Sequence, residues 1–430
     1  MSNSSKLSLC VIFGGVSSEH EVSRMSATSI LENLSSEKYD VHMVGITKEG
    51  KWLLYTGDVK EIVSGAWEQG PVTPAFLAPD PSVHGLVVLR DGTAETIPVD
   101  VIFPALHGKN GEDGTIQGLF QLSGIPYVGC DTHSSSVCMD KAVTHTLLSN
   151  ADIEQAHYLW FYADRFDVAP DTIKNKIQAR LDFPVFVKPA NAGSSVGVSK
   201  VERLEDLDEA IRKAAKEDKK VVVEEGIKGQ EVECAVLGNR DAEASIVGEI
   251  GASAQFYDYD DKYINGTSQL YIPARIDPEV SDKIRQAAVR AYRLLGCSGL
   301  ARVDFFVTEG DHRVILNEIN TLPGFTSISM YPKLWMAMGL SYSQLLDRLG
   351  ELAFQKAGKG EERGSWITVP SACSTPDWGA LRPSSSWNRC CREKASSTLA
   401  IPAGCPMDPG GRTPSSATPG RTWRSCFPKT

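Results

Sequence analysis

The chain has 430 residues and a formal net charge of −10, with 42% hydrophobic and 23% charged residues. Its length allows about two to four domains with real cores, and its composition is ordinary for a globular protein. The acidic balance disfavours a general nucleic-acid binder, and no apolar run approaches the roughly 20 residues that are needed to span a membrane.

The chain begins with Met1–Lys6 and passes directly into the strand-like run Leu7–Phe13, without the apolar core and cleavage site of a secretory signal. The cysteines before residue 300 are scattered, and several lie in apolar runs without metal-type spacing. Such cysteines are typical of buried thiols in a reducing compartment. We therefore expect a cytoplasmic protein with no membrane partner and no nucleic-acid partner.

Strand-like and helix-like segments alternate up to the tail described below, which predicts an α/β protein. The apolar strand Leu7–Phe13 precedes the predicted helix Val22–Asn33, and a second apolar strand, Val99–Leu106, follows. Short strands and turns between residues 51 and 96 are interpreted as an elaboration of the same domain. We predict an N-terminal doubly wound α/β domain over residues 1–129, followed by α/β segments over residues 130–227 and 228–357.

Two polar turns follow the buried strands of the first domain, where the carboxyl ends of strands form the usual ligand crevice. Paired glycines in Phe13–Ser23 permit a tight turn, and Glu19 at that turn could hold an ammonium group. A glutamate here would also favour the dipole of the following helix. The segment His107–Gly114 should open into the same crevice, although a single histidine there is more often structural than catalytic.

A loop rich in Gly and Ser follows the strand that delivers Lys188, within Val187–Lys200. Small residues let backbone N–H groups approach a polyphosphate, and the lysine supplies counter-charge. Because Lys188 precedes the glycines, this is not the Walker pattern, and an ordinary surface loop is the alternative. The strand Val221–Glu231 could offer backbone groups to adenine and a carboxylate, that of Glu231, to ribose, although solvated acids fit this pattern nearly as well.

The segment Phe256–Gly266 combines three tyrosines, a phenylalanine and several charges, and it alternates poorly for either a strand or a helix. This composition predicts a loop that folds over a substrate with Lys262 and Tyr263 directed inward. Such loops exclude water from reactive intermediates. An exposed polar loop would explain the charges but not the aromatic residues.

The most informative feature is a predicted β-hairpin with an acidic residue on each strand. The runs Ala301–Val307 and Arg313–Ile319 are joined by a segment with a Glu-Gly-Asp core, which suits a tight turn. Asp304 and Glu318 should then lie near each other on one face, with Asn320 two residues further on. Their oxygen atoms suit Mg²⁺ held against nucleotide phosphates. Solvated carboxylates are the alternative, but apolar neighbours predict a buried hairpin, in which unpaired carboxylates would repel.

The last segment, residues 358–430, differs in composition from the rest of the chain. It is dominated by Ser, Pro, Gly, Arg, Cys and Trp, and it holds five of the ten Cys and four of the eight Trp. This bias without aliphatic runs predicts a disordered tail with no catalytic role. Adjacent cysteines and the lack of histidine argue against a metal site there. Translation outside the ancestral reading frame is one hypothesis for its origin.

In this order, the motifs resemble the D-alanine–D-alanine ligase family of the ATP-grasp superfamily. The resemblance covers residues 7–356 and rests on five segments: Gly14–Ser23, His107–Gly114, Lys188–Gly197, Tyr257–Tyr263 and Arg302–Gly324. It implies that residues 130–227 and 228–357 are two ATP-grasp subdomains. It also implies a bacterial enzyme that activates one D-alanine with ATP as an acyl phosphate. The amine of a second D-alanine would then displace phosphate, which supplies peptidoglycan precursor synthesis.

The resemblance also implies a set of site residues for each ligand. The ATP-binding residues would be Lys141, Lys188, Glu224, Glu225, Ile227, Glu231 and Lys262. Two Mg²⁺ or Mn²⁺ ions would be held by Asp304, Glu318 and Asn320. The catalytic set would be Glu19, Ser194, Tyr263, Arg302 and Gly324, and the other substrate-binding residues would be His107, Ser329 and Met330.

Within the implied catalytic set, Glu19 would bind the ammonium group of the first D-alanine, and Ser194 would link it to Tyr263. Arg302 and the Gly324 N–H would form the oxyanion site for the tetrahedral intermediate. His107 is expected to lie near the first D-alanine.

The implied site for the second substrate uses Ser329 to hold a carboxylate and Met330 to shape a methyl pocket. The complete lid Tyr257–Tyr263 favours an amine nucleophile over D-lactate, because the relatives that make the ester lack this tyrosine. D-serine as the second substrate is harder to exclude, because those ligases differ mainly in this pocket.

Two other interpretations share part of the pattern. Another ATP-grasp carboxylate–amine ligase would need Lys188 and the metal ligands, but not Glu19, Ser194 and Tyr263 together. A catalytically silent nucleotide-binding protein would be expected to have lost Arg302 or a metal ligand, and neither is lost. The resemblance also implies a homodimer through the first domain.

Overall fold

A computed structural model describes residues 6–251 and 269–359. The strands are β1 (Leu7–Gly14), β2 (Tyr39–Ile46), β3 (Trp52–Tyr55), β4 (Val72–Leu77), β5 (Gly85–Arg90), β6 (Thr93–Pro98), β7 (Val101–Ala105), β8 (Tyr158–Tyr162), β9 (Val185–Pro189), β10 (Ser199–Val201), β11 (Lys220–Glu225), β12 (Gly229–Gly238), β13 (Glu243–Gly251), β14 (Gln269–Tyr271), β15 (Gly299–Thr308) and β16 (Val314–Asn320).

The helices are α1 (His20–Asn33), α2 (Lys60–Ser64), α3 (Thr115–Ser123), α4 (Thr132–Met139), α5 (Lys141–Leu148), α6 (Ala163–Val168), α7 (Pro170–Arg180), α8 (Leu207–Glu217), α9 (Pro278–Leu294), α10 (Met330–Ala337) and α11 (Tyr342–Lys356), with short 3-10 helices at Ala66–Gln69 and Leu204–Asp206. None of these helices in the described ranges is both long and apolar enough to cross a lipid bilayer.

The N-terminal sheet has the strand order β6-β5-β4-β3-β2-β1-β7, in which only β2, β1 and β7 are parallel. The central strand β1 is apolar on both faces: Leu9 and Val11 face one core, and Cys10 and Ile12 face another. A two-faced apolar strand is typical of a parallel sheet with helices on both sides. The predicted elaboration over residues 51–96 is the antiparallel extension β3–β6.

Two antiparallel sheets follow along the chain. Strands β8–β11 form a sheet of order β10-β9-β11-β8, and β12–β16 form a sheet of order β14-β13-β12-β15-β16. In β9, burial alternates along Val185–Pro189, with Val185 and Val187 buried against the helical layer, as expected for a strand with one face in a core. The three sheets follow the order of the three predicted domains, whose boundaries stay predictions.

The closing helix α11 packs against the first domain. It begins with a capping box between Ser341 and Gln344, a common device at helix N-termini. The carboxylate of Asp347 accepts a hydrogen bond of 2.8 Å from the Tyr39 hydroxyl. Lys356 donates from Nζ to the carbonyl oxygen of Gly129 at 2.6 Å. The apolar face of α11 completes the core that contains β1 and β7.

The predicted lid Phe256–Gly266, including Lys262 and Tyr263, and the tail from residue 360 lie outside the described residues. The cysteines of the described part, which are Cys10, Cys130, Cys138, Cys234 and Cys297, are all buried and free. The prediction of buried thiols is therefore confirmed for these positions.

Candidate active site

The hairpin β15–β16 brings its two acidic residues together through a shift in its register. Asp304 lies opposite Glu318 and Arg302 lies opposite Asn320, so the four side chains share one face of the sheet. The register shifts immediately after Asp304, between it and Phe305. Without this shift, the pairs nearer the turn would place Asp304 opposite Asn317 and direct Glu318 to the other face.

Arg302 is shared between two buried carboxylates. It donates from Nε and Nη2 to the two oxygens of Asp304, both at 2.7 Å. Its Nε also lies 3.0 Å from the Glu233 carboxylate on the neighbouring strand β12. Burial acts to lower the pKa of Arg302, but the charges of Asp304 and Glu233 outweigh it and hold the pKa well above its ordinary value.

Glu233 is a site residue that the sequence analysis missed. It lies opposite Asp304 in the pairing of β12 with β15, so it shares the face of the hairpin carboxylates. The available signal was the spacing of Glu231 and Glu233, because residues two apart on a strand point to the same face.

The donor set on this face fits a hard divalent cation. Asp304 and Glu318 supply carboxylate oxygens from adjacent strands, and Asn320 supplies an amide whose nitrogen donates to Asp304 at 2.9 Å. Oxygen ligands of this kind, completed by phosphate oxygens, are typical of Mg²⁺ sites. No group of three or more His, Cys, Asp or Glu side chains in residues 6–251 and 269–359 is arranged to hold a metal by itself. The assignment of two ions to these residues therefore stays a prediction.

Lys188 lies in a second buried ion-pair cluster. Its Nζ is 2.6 Å from Glu224, which is on the adjacent strand β11. The other oxygen of Glu224 lies 3.0 Å from Nε2 of His145, and that ring stacks on Tyr158 at a centroid distance of 4.3 Å. Burial acts to raise the pKa of Glu224, but the charge of Lys188 and the hydrogen bond from His145 outweigh it and lower the pKa to about 2.

The other predicted nucleotide residues are spread along the same strand and the next one. Glu225 accepts a hydrogen bond of 2.8 Å from the backbone N–H of His157, and Ile227 and Glu231 are half-buried. His145 was not predicted, because nothing in the local sequence of α5 indicates its partner on β11. The predicted contacts of these residues with adenine and ribose stay predictions.

Lys141 connects the Gly/Ser loop to the acidic hairpin. It is the first residue of α5, whose N-terminus is capped by Asp140. Its Nζ donates to the Ala192 carbonyl at 2.9 Å and lies 3.8 Å from Glu318. The charge of Lys141 therefore lies between the Gly/Ser loop and the acidic hairpin.

The Gly/Ser loop also contacts the first domain. Ser194 donates a hydrogen bond from its hydroxyl to the Glu19 carboxylate, and Ser194 and Ser195 adopt positive φ angles of 47° and 60°. A Cβ atom at Gly193 would lie 2.8 Å from the same carboxylate, and one at Gly108 would lie 2.2 Å from it. Both glycines are therefore needed for the close approach. The predicted proximity of Glu19 and Ser194 is present, whereas their partner Tyr263 lies outside the described residues.

His107 is buried at the junction of the first domain and the loop after β16. One ring nitrogen lies 2.8 Å from the Ser26 hydroxyl and the other lies 3.1 Å from the Leu322 carbonyl. Burial acts to lower its pKa, but Glu112 and Glu19 outweigh this effect and raise the pKa above its ordinary value. His107 also lines a cavity of about 300 Å³ at the carboxyl ends of β1 and β2.

The loop after β16 holds the remaining predicted residues. A Cβ atom at Gly324 would lie 2.7 Å from the Ser329 hydroxyl, which accepts a hydrogen bond of 3.0 Å from the Thr326 N–H. Ser329 is the N-cap of α10 but makes no side-chain cap bond. Met330 packs its thioether against Gly248 of β13. The roles of these residues in binding a second substrate stay predictions.

Comparisons with known families and proteins agree with one another. Residues 8–130 match the family model described as D-ala D-ala ligase N-terminus, and residues 147–351 match the one described as D-ala D-ala ligase C-terminus. The chain is 50% identical to the D-alanine–D-alanine ligase of Caldicellulosiruptor bescii over 351 residues, which cover 82% of this chain and 96% of that protein. It is also 50% identical to the Acetivibrio thermocellus protein of the same name over 363 residues, which cover 82% of this chain and 96% of that protein.

Solved structures of similar proteins share the fold. The VanG D-Ala:D-Ser ligase from Enterococcus faecalis matches with a TM-score of 0.74 and 44% identity, covering 81% of this chain and 100% of that one. The D-alanine-D-alanine ligase from Coxiella burnetii matches with a TM-score of 0.71 and 33% identity, covering 85% of this chain and 99% of that one.

Proposed function

The chain belongs to the D-alanine–D-alanine ligase family, and we propose that it joins two D-alanine molecules into D-alanyl-D-alanine with conversion of ATP to ADP and phosphate. The product supplies peptidoglycan precursor synthesis. The family assignment supports this reaction, as do the contacts of Ser194 with Glu19 and of Lys141 with Glu318, which bring the first domain, the Gly/Ser loop and the acidic hairpin together.

In the first step, a carboxylate oxygen of one D-alanine attacks the γ-phosphorus of ATP, and the bond to the bridging oxygen of ADP breaks. Lys141, Lys188 and Lys262 stabilise the negative charge of the phosphates. Asp304, Glu318 and Asn320 would hold Mg²⁺ or Mn²⁺, two ions by family analogy, whose charge when bound neutralises the transferring phosphoryl group.

The nucleotide itself is framed by β11 and the start of β12. Glu225 and Ile227 lie along the adenine, and Glu231 binds the ribose hydroxyls. Lys188 pairs with Glu224 at 2.6 Å and leaves this pair to contact the phosphates. His107 and Glu19 bind the first D-alanine in the first domain, with Ser194 linking Glu19 to Tyr263.

In the second step, the amine of another D-alanine attacks the acyl carbon, loses a proton and expels phosphate. Arg302 and the Gly324 N–H stabilise the oxyanion of the tetrahedral intermediate. Ser329 binds the carboxylate of this second D-alanine, and Met330 shapes the pocket for its methyl group. Closure of the lid with Tyr263 excludes water, which would hydrolyse the acyl phosphate.

One observation carries the proposal: polar contacts join the three predicted domains at one place. The hydrogen bond between Ser194 and Glu19 connects the central loop to the first domain. The pair Lys141–Glu318 at 3.8 Å connects the nucleotide-binding helix to the acidic hairpin. Substrate carboxylate, γ-phosphate and cation must meet at such a place for phosphoryl transfer.

The direct test is phosphate release by the intact chain with ATP and Mg²⁺. D-alanine should support release, and L-alanine and D-lactate should not. Mass spectrometry of the product should detect the D-alanyl dipeptide. If phosphate release does not depend on D-alanine, the proposed reaction is wrong.

D-serine as the second substrate is the alternative candidate. The VanG relative, at 44% identity, is a D-Ala:D-Ser ligase. The side chains around Ser329 and Met330 would determine whether D-alanine or D-serine is the second substrate. An assay with equal D-alanine and D-serine distinguishes the two: the proposed function predicts mainly D-alanyl-D-alanine, and a mixed dipeptide as the main product favours the alternative.

We also propose a cytoplasmic homodimer formed through the first domain. Exposed apolar residues on β4 and β5, Phe76 and Leu89, support an association surface there. The buried free cysteines fit a reducing compartment. Light scattering of the intact chain should give the mass of two copies, and a monomer mass at micromolar concentration would contradict the dimer.

A further inference from the structure

Arg302 has two acidic neighbours, Asp304 and Glu233, and its predicted role in the oxyanion site requires neither of them. It makes a two-pronged hydrogen bond to Asp304 and lies 3.0 Å from Glu233. The Arg302 side chain is 18% exposed, and those of Glu233 and Asp304 are 6% and 4% exposed. Buried charges of this kind are expensive unless each is paired, so the pairing pattern has energetic consequences.

The Arg302–Asp304 pair occupies the same oxygens that a divalent cation would use. Both carboxylate oxygens of Asp304 accept from Arg302, and one also accepts from Asn320. A cation bound there would repel the guanidinium, so at least part of this pair must open when the cation binds. A buried arginine without a carboxylate partner would then resist cation binding.

The strand order places Glu233, a second hydrogen-bond acceptor for Arg302, beside Asp304. Asp304 on β15 lies between Glu233 on β12 and Glu318 on β16, in register with both. Glu318 is thus on the cation side of Asp304, and Glu233 is on the opposite side. Arg302 can move its hydrogen bonds to Glu233 while Asp304 turns to the cation.

We propose that Glu233 is a positioning residue that keeps Arg302 paired when Asp304 passes to the divalent cation. This inference rests on the proposed metal site. It assigns Glu233 no contact with the cation or the substrate. Glu233 raises the affinity for the cation and holds the Arg302 guanidinium near the reacting acyl carbon.

The test measures Mn²⁺ binding to the intact chain with ADP present, from the free Mn²⁺ signal in electron paramagnetic resonance. Glu233→Gln should weaken Mn²⁺ binding about 10-fold, in the range found for outer-sphere partners of metal ligands. Arg302→Gln should bind Mn²⁺ at least as tightly as the parent, because Asp304 is released. In the double variant the effect of Glu233→Gln should shrink to within about 2-fold, as expected when one residue acts through the other.

The matched control is Glu249→Gln. Glu249 is a buried carboxylate of the same sheet, paired with Arg275 at 2.6 Å, and its strand register places it on the opposite face from Glu233. It should leave Mn²⁺ binding unchanged. If Glu233→Gln does not fold, as judged by circular dichroism, Glu233→Asp keeps the charge and should weaken binding by about 3-fold because its reach is shorter.

Two results would overturn the inference while leaving the ligase proposal intact. One is equal Mn²⁺ binding by the parent and Glu233→Gln. The other is a full loss from Glu233→Gln in the Arg302→Gln background, which would mean that Glu233 acts by its charge alone. Failure of the parent itself to bind Mn²⁺ with ADP would instead reject the proposed metal site.

Discussion

Two buried ion-pair clusters flank the proposed cleft, and they distribute their charges in opposite ways. In the first cluster, two donors, Lys188 and His145, share one carboxylate, Glu224. In the second, one donor, Arg302, is shared by two carboxylates, Asp304 and Glu233. To bind its expected ligand, the first cluster has to release a positively charged side chain and the second a negatively charged one. In both clusters the side chains that remain still form a pair.

This difference follows from the charge of the expected ligand. ATP is an anion, so a lysine has to leave the first cluster, and Glu224 then keeps His145 as a partner. The metal ion is a cation, so a carboxylate has to leave the second cluster, and Arg302 then keeps Glu233. Neither exchange leaves an isolated buried charge, which would cost several kcal/mol.

The largest effect should come from removing a proposed cation ligand that is not a member of either cluster. Glu318→Gln keeps the shape of the hairpin but removes one carboxylate from the proposed site. We expect turnover to fall by about 1000-fold, or about 4 kcal/mol of transition-state stabilisation. Phosphate release measures the loss, and thermal melting should be close to that of the parent.

The matched control for this variant is Glu309→Gln, at the exposed tip of the same hairpin. It should retain parent turnover. Near-normal turnover of Glu318→Gln would contradict the proposed metal site. It would also remove the reason for a carboxylate to leave the second cluster.

A smaller effect concerns the acid stability of the first cluster. The pKa of Glu224 is held at about 2, against an ordinary value of 4.5. Because the folded-state pKa is lowered, this carboxylate contributes stability that is complete above pH 4.5 and is lost as pH falls toward 2. The contribution corresponds to roughly 3 kcal/mol.

Glu224→Gln should therefore flatten the pH dependence of the free energy of unfolding in this window, as measured by urea melts. Glu224→Asp keeps the charge and should preserve part of the dependence. The same slope in the parent and Glu224→Gln would show that Glu224 is not the anchor of the first cluster.

The smallest effect should come from removing the cation that leaves the first cluster. Lys188→Met should lower kcat/KM for ATP by about 30-fold, or about 2 kcal/mol, the range of a hydrogen bond to a charged group. Its melting temperature should also fall, because Glu224 loses the charge that contributes most to lowering its pKa, although it keeps His145 at 3.0 Å.

The matched control is Lys220→Met. Lys220 is as buried as Lys188, with 12% of its side chain exposed, and it pairs with Asp140 rather than with Glu224. It should retain the parent kcat/KM for ATP. Equal losses from Lys188→Met and Lys220→Met would mean that the first cluster has only a structural role.

The hairpin could be predicted from the sequence because its information is local. The short turn shows that β15 pairs with β16, and the two carboxylates are therefore predicted to lie near each other. The register next to the turn would nevertheless place Asp304 opposite Asn317, and the shift after Asp304, which no local pattern predicts, brings Glu318 there instead. The buried strand and helix at the start of the chain were predictable for the same reason, since their patterns are confined to Leu7–Gly14 and His20–Asn33.

Both clusters required the tertiary structure. The pair Lys188–Glu224 depends on the register of β9 with β11, and the pair Arg302–Glu233 depends on that of β15 with β12. These strands are far apart in sequence, and no local pattern states their partners. From the sequence alone, Glu224 is therefore predicted to contact only the nucleotide, and Glu233 and His145 are not predicted as site residues.

The packing of α11 has a consequence for synthesis of the protein. The core around Leu9 and Phe103 is completed by Leu345, Leu349 and Phe354, which are among the last described residues. A ribosome that has translated only the first domain has therefore made a sheet whose apolar face is covered by α1 residues such as Ile30 but not yet by α11. Complete burial of this core requires α11, so a nascent polypeptide stalled before that helix would leave part of this apolar face exposed to solvent.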